Sequence, residues 1–143
     1  MTTPSLTDRR GTISPPVLPT PNPSKTRAQT TEALAAPIDP RHLREHDKGK
    51  LTLKYFPWAV LTKCLHARTN SWSWELLEVK TLGEWVVVSG RLTVDCSDGQ
   101  LTYEAVSSEP IQGSFAPPIE TAASSCVRRA CALAGLGTNL WLD

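Results

Sequence analysis

The sequence predicts an α+β domain, built as helix, three-stranded antiparallel β-meander and helix, behind a disordered N-terminal tail. Three observations predict it. Trp72–Lys80, Trp85–Cys96 and Leu101–Val106 read as strands, and in the middle one Val86, Val88, Leu92 and Val94 alternate with Val87, Ser89, Arg91 and Thr93. Their connections, Thr81-Leu82-Gly83-Glu84 and Ser97-Asp98-Gly99-Gln100, suit tight hairpins, the second through its Asp-Gly pair. A helical apolar period flanks the strands on both sides, over Trp58–Arg68 and from Glu120 onward.

Residues 1–40 carry Pro4, Pro15, Pro16, Pro19, Pro21, Pro23 and Pro37 among serines and threonines, with few aliphatic anchors. Such a segment buries too little apolar surface to offset its ordering entropy, so it reads as a tail with polyproline II character, available to partners. The domain is then 41–143. Arg41–His46 is expected as a short helix, with His42 and His46 at a four-residue spacing whose plain reading, without a third ligand, is a solvated face and not a metal site. Pro57 opens the first long helix, which puts Val60, Leu61, Cys64 and Leu65 on one side and Lys63 and Arg68 elsewhere. A linker, Ser107–Pro118, returns to the last helix. There Ile119, Ala122 or Ala123, Cys126, Ala130 and Leu133 form an apolar face of mostly small residues, Glu120 complements the first turn, and Gly135 is a left-handed stop. Three strands and two helices leave sheet edges that another strand near Lys50–Tyr55 or a neighbouring subunit must cover.

Composition excludes more than it selects. The net charge of +1 over 143 residues is not that of a basic protein, yet Arg41–Arg68 holds seven Lys/Arg against Glu45 and Asp47. Cys64, Cys96, Cys126 and Cys131 lack paired spacing and read as free buried thiols, which fits a reducing compartment. No apolar run at the start resembles a secretory signal, and none has the length of a membrane span. Catalytic constellations, phosphate-cradling glycine loops and metal-ligand spacings are not found, so neither an enzyme nor a cofactor is expected. Cations instead interleave with aromatics: Lys54 beside Tyr55, Trp58 near Lys63, Arg68 near Trp72 and Trp74, and Arg91 on the strand face of Trp85. Single-strand binders use such pairs, because phosphates need cations and bases stack on flat rings. Trp72 and Trp74 fit a core role equally well, and the adjacent Arg128 and Arg129 fit a solvated face unless a groove claims them.

Tyr55-Phe56-Pro57-Trp58-Ala59, Asn70-Ser71-Trp72, the hairpin Val86–Val106, and above all Glu120-Thr121-Ala122 through Val127-Arg128-Arg129-Ala130 to Leu136-Gly137 resemble the single-strand annealing proteins of the Rad-fifty-two type and their phage relatives, the essential recombination function (ERF) proteins. The resemblance spans residues 51–141. It implies ATP-independent binding and annealing of single-stranded DNA in recombination or repair, by a ring or filament of many copies. It also implies a bacterial or phage-type, nucleoid-associated cytoplasmic setting, with recombination or replication proteins as partners of the tail. The basic pair of the family matches Arg128 and Arg129, while an arginine usual three residues beyond it falls on Ala132, and a basic position in the first helix falls near Trp58, where Lys54 or Lys63 substitutes. The full set expected to contact DNA is Arg128, Arg129, Lys54, Lys63, Arg68, Arg91 and Trp58. The other class of reading is a protein-interaction module that works through the tail or the sheet face.

Overall fold

A computed structural model describes residues 24–113 and 116–140. In chain order it contains α1 (Arg27–Ala35), a 3-10 turn at Pro40–His42, β1 (Arg44–Lys48), β2 (Leu51–Tyr55), α2 (Trp58–Arg68), β3 (Ser71–Leu82), β4 (Trp85–Cys96), β5 (Gly99–Pro110), α3 (Pro118–Leu133) and a 3-10 turn at Thr138–Leu140. The expected helix, antiparallel meander and helix are present as α2, β3-β4-β5 and α3. The strands run longer than the sequence reading, because β5 continues to Pro110 opposite Trp85 and so takes the first residues of the expected linker into the sheet.

The other differences lie upstream. The proline-rich residues 1–23 of the expected tail lie outside the described ones, but the stretch from Lys25 to Pro40 is part of the domain. Thr26 and Gln29 form a reciprocal capping box that starts α1 and satisfies two of its orphan amides. Leu34 and Ile38 then enter the core at 0% and 3% exposure. The expected helix Arg41–His46 is replaced by the 3-10 turn, capped by Asp39, and by strand β1. A strand wins there because Arg44-Glu45-His46-Asp47-Lys48 finds a partner two residues further on in Leu51–Tyr55, which satisfies both backbones. His42 and His46 therefore lie on different elements, and the four-residue helical spacing does not exist. The β1–β2 hairpin stands as its own two-stranded sheet and does not extend the meander.

The main core lies between one face of the meander and the helices. Val88, Leu92 and Val94 point inward from β4 and are fully buried. Trp72 and Trp74, opposite Val94 and Leu92 in register, share that face and pack against the core. Trp72 Nε1 also donates to His66 Nδ1 at 3.3 Å. The two tryptophans of β3 are thus packing groups. Arg68, expected beside them, is directed elsewhere.

Helix α3 crosses β4 and β5 with Ala122, Cys126 and Ala130 beneath it, all at 0% exposure. Small side chains there let the helix axis approach the sheet closely, and the Cys126 thiol lies 3.3 Å from the Ala105 carbonyl oxygen. The expected ends of that face are corrected: Ile119 and Leu133 are exposed, and the buried stripe continues through Cys131 and Ala134. All four cysteines are free thiols, but only Cys126 and Cys131 are buried as expected while Cys64 and Cys96 are half-buried; burial pushes Cys131 up to about 12, so it stays protonated and unreactive at neutral pH. The helix ends as expected at Gly135, whose φ of +108° allows the Leu136 amide to reach back to the Cys131 carbonyl and the Gly135 amide to the Ala132 carbonyl.

No helix among the described residues is long and apolar enough to cross a membrane. The meander leaves one region uncovered, since α3 lies over β4 and β5 but not over the second half of β3. Leu76 and Val79 face inward by register yet remain 52% and 44% exposed. Leu82, Trp85 and Val106 are exposed on the opposite face of the same end.

The packing makes a stability prediction. A Cβ at Gly90 would fall on the indole of Trp74 and against the Glu75 carbonyl, neither of which can swing away within the sheet. Gly90→Ala should therefore lower unfolding free energy by about 1–3 kcal/mol in chemical denaturation, as overpacking does. An unchanged midpoint would show that Trp74 is not held as described.

Candidate nucleic-acid interface

Four segments meet at one side of the molecule. The end of β2 brings Tyr55 and Phe56, α2 brings Leu61, α3 brings Ser125, Arg128, Arg129 and Ala132, and the chain after α3 returns with Leu136 and Leu140. They enclose a cavity of about 360 Å³. Its floor is apolar, because Phe56, Leu61 and Leu136 are themselves core residues at 4%, 4% and 2% exposure. The rim is cationic. The spacing that buries Ala122, Cys126 and Ala130 against the sheet turns Arg128 and Arg129 toward this opening, where Arg129 is exposed and Arg128 is partly buried.

Arg128 is held in place by two contacts. Its Nη2 donates to Ser125 Oγ at 3.0 Å, one helical turn earlier, and its guanidinium carbon lies 5.2 Å from the centre of the Tyr55 ring. Among the described residues it has no carboxylate partner in ion-pair contact. Burial, the dominant effect, pulls its pKa below the ordinary arginine value, Tyr55 and the more distant Glu109 oppose that pull, and Arg129 adds to it. An arginine stays charged under these conditions, so the desolvated cation is a standing cost that an incoming anion would relieve.

The β1–β2 hairpin extends this surface. Directly opposed residues of an antiparallel pair share a face, so Arg44 lies beside Tyr55 and His46 beside Leu53 on the face that leads to the cavity. Leu51 and Leu53 are 68% and 43% exposed, which leaves that face both basic and apolar. The other face carries Glu45, Asp47, Thr52 and Lys54, where Thr52 donates to Asp47 at 3.0 Å.

The expected contact residues divide accordingly. Arg128 and Arg129 are at the cavity rim. Trp58, 55% exposed, is on α2 one turn before Leu61 but is not among the residues that line the cavity. Lys54 is on the far face of the hairpin opposite Glu45, because strand neighbours alternate, so its adjacency to Tyr55 in sequence separates the two in space. Lys63, two residues from Leu61 on a helix, is exposed on the solvent side of α2. Arg68 is away from the cavity: its guanidinium donates to the carbonyls of Ala33, Leu34, Ala36 and Pro37 at 3.3, 3.3, 2.7 and 3.3 Å and so holds the end of α1. Arg91 is on the outer sheet face, between Glu75 at 3.2 Å and Glu104 at 3.0 Å, and these two acids neutralise it. Tyr55, Phe56 and Ser125 were not among the expected contacts. The sequence signal for Tyr55 was its place at a strand end just before Pro57-Trp58, and for Ser125 its three-residue offset from Arg128.

Replacing Arg68 with Ala would strand carbonyls that now receive charged hydrogen bonds, a loss of roughly 1.5–3 kcal/mol in unfolding free energy. That destabilisation should come with no change in the salt dependence of any DNA binding, measured below the melting transition. Arg91→Ala should likewise leave affinity and salt dependence unaltered, since a cation already paired with two acids contributes little to a phosphate path.

No family model matches the chain. It is similar to the DNA repair RAD52-like protein 1, mitochondrial, of Arabidopsis thaliana, with 24% identity over 127 residues that span 87% of this chain and 72% of that protein, a weak homology in line with the Rad-fifty-two-type resemblance carried by its own residues.

Proposed function

We propose that this chain binds single-stranded DNA along Arg128 and Arg129 and anneals complementary strands without a nucleotide cofactor, in DNA recombination or repair. The observation that carries the reading is the pair of arginines at the rim of an apolar cavity, with no carboxylate among the described residues in ion-pair contact with them, continued by the basic and apolar face of the β1–β2 hairpin. Phosphates would supply the anion these cations face. A path that holds the backbone on cations leaves the strand free to meet its complement, which is all that annealing requires of a protein. No nucleophile, base or metal ligand is assigned a role.

Self-association completes the reading. One chain of net charge +1 offers few cations at this rim, and repetition around an assembly would multiply them into a continuous path. At this end of the meander Leu76 and Val79 on one face and Leu82, Trp85 and Val106 on the other are exposed apolar groups that a neighbouring copy would bury, and β3 and β5 are the edge strands among the described residues. The same apolar groups serve the second reading, an interaction module, if they receive a different protein. The reducing, nucleoid-associated setting goes with four free thiols, and residues 1–23 would recruit recombination or replication partners.

Filter binding of a labelled oligonucleotide over a series of salt concentrations tests the DNA reading. Arg128→Ala with Arg129→Ala should weaken binding at low salt and flatten the slope of log affinity against log salt by roughly 0.7 for each phosphate that is no longer neutralised. An unchanged slope would remove these two residues from the path. An adaptor that binds only protein would show no affinity that grows with strand length.

A further inference from the structure

We propose that the cavity beside Arg128 and Arg129 takes a single nucleobase of the bound strand, turned inward, while the phosphate attached to it sits on the two guanidinium groups. The inference rests on the DNA-binding reading above and adds to it a base-recognising function for the same site. A path for phosphates alone needs only cations on a surface. Here the cations border an apolar cavity of about 360 Å³, near the lower end of the roughly 300–1,000 Å³ of small-molecule sites and so suited to one nucleotide unit.

The chemistry of the walls selects the occupant. Phe56, Leu61 and Leu136 offer nothing to a hydrated ion and favour a flat body that gives up little water. Arg128 presents its guanidinium on the Tyr55 ring, 5.2 Å from the ring centre, so it is oriented by the protein before any ligand arrives. Ser125 Oγ, which accepts from Arg128 at 3.0 Å, retains a hydroxyl hydrogen for the polar edge of a base. The small side chain of Ala132 keeps the opening free on the α3 side, where any longer residue would project into the cavity. A ligand with one anionic group and one flat, largely apolar body within a few bonds of it meets all these features together, and a nucleotide is such a ligand. Bases not captured would remain outside and available for pairing.

The test compares two labelled strands of equal length on the full chain, one of thymidylate residues and one of abasic residues with the same phosphate backbone. The thymidylate strand should bind on the order of tenfold tighter or more, as the loss of base stacking implies, with the same salt slope for both because the phosphate contacts are shared. Ala132→Leu fills the cavity with a good helix former, and circular dichroism checks that it folds. It should bring the thymidylate strand down to the abasic level. Equal affinity of the native chain for the two strands overturns the base pocket while leaving the phosphate path intact, and so does an Ala132→Leu chain that still prefers the thymidylate strand. If neither strand binds and an acidic, tryptophan-rich peptide does, the site docks protein and both readings fall.

Discussion

The close approach of α3 to β4 and β5 is the constraint on which the rest of the molecule depends. Alanine and cysteine at 122, 126 and 130 bring the helix near enough for a thiol to touch the Ala105 carbonyl. That approach fixes the rotation of α3 about its axis, and the rotation in turn decides where residues 128 and 129 point. A bulky residue in the buried stripe would lift the helix and swing both arginines away from the cavity. Function at the rim is therefore set by packing on the opposite side of the same helix.

A second constraint is electrostatic. The domain occupies several of its arginines close to home: Arg91 lies between two glutamates, Arg27 and Arg41 lie against aspartates, and Arg68 is spent on the carbonyls that end α1. Arg128 is treated differently. It is desolvated and stacked, its hydrogen-bond partner is a neutral hydroxyl, and no described carboxylate is in ion-pair contact with it. Such a group is poor for stability, and its retention makes sense where an external anion completes it.

Much of this was legible in the sequence because local rules and tertiary packing agree. Pro57 starts α2, the alternation through Val86–Val94 marks β4, and Gly135 stops α3, each by a mechanism confined to a few residues. The missed elements have equally definite reasons. The density of prolines before residue 24 obscured the capping box of Thr26 and Gln29, a four-residue signal present in the sequence. Arg44–Lys48 has no apolar alternation of its own and becomes a strand only through its partner across Gly49-Lys50. The roles of Arg68 and Arg91 depend on groups 31–35 and 13–16 residues away in the chain, which spacing alone does not bring together. Tyr55 became part of the site for the same reason, since only the fold places it under Arg128.

The most direct test of the central claim is to locate the strand on the protein by ultraviolet crosslinking of a single-stranded oligonucleotide, followed by peptide mass mapping. Crosslinks are expected in the peptide that contains Tyr55 and Trp58 and in the segment from Ser125 to Leu140. Crosslinks confined to the outer face of the meander, around Trp85 and Arg91, would contradict the assignment of the strand to the Arg128 rim.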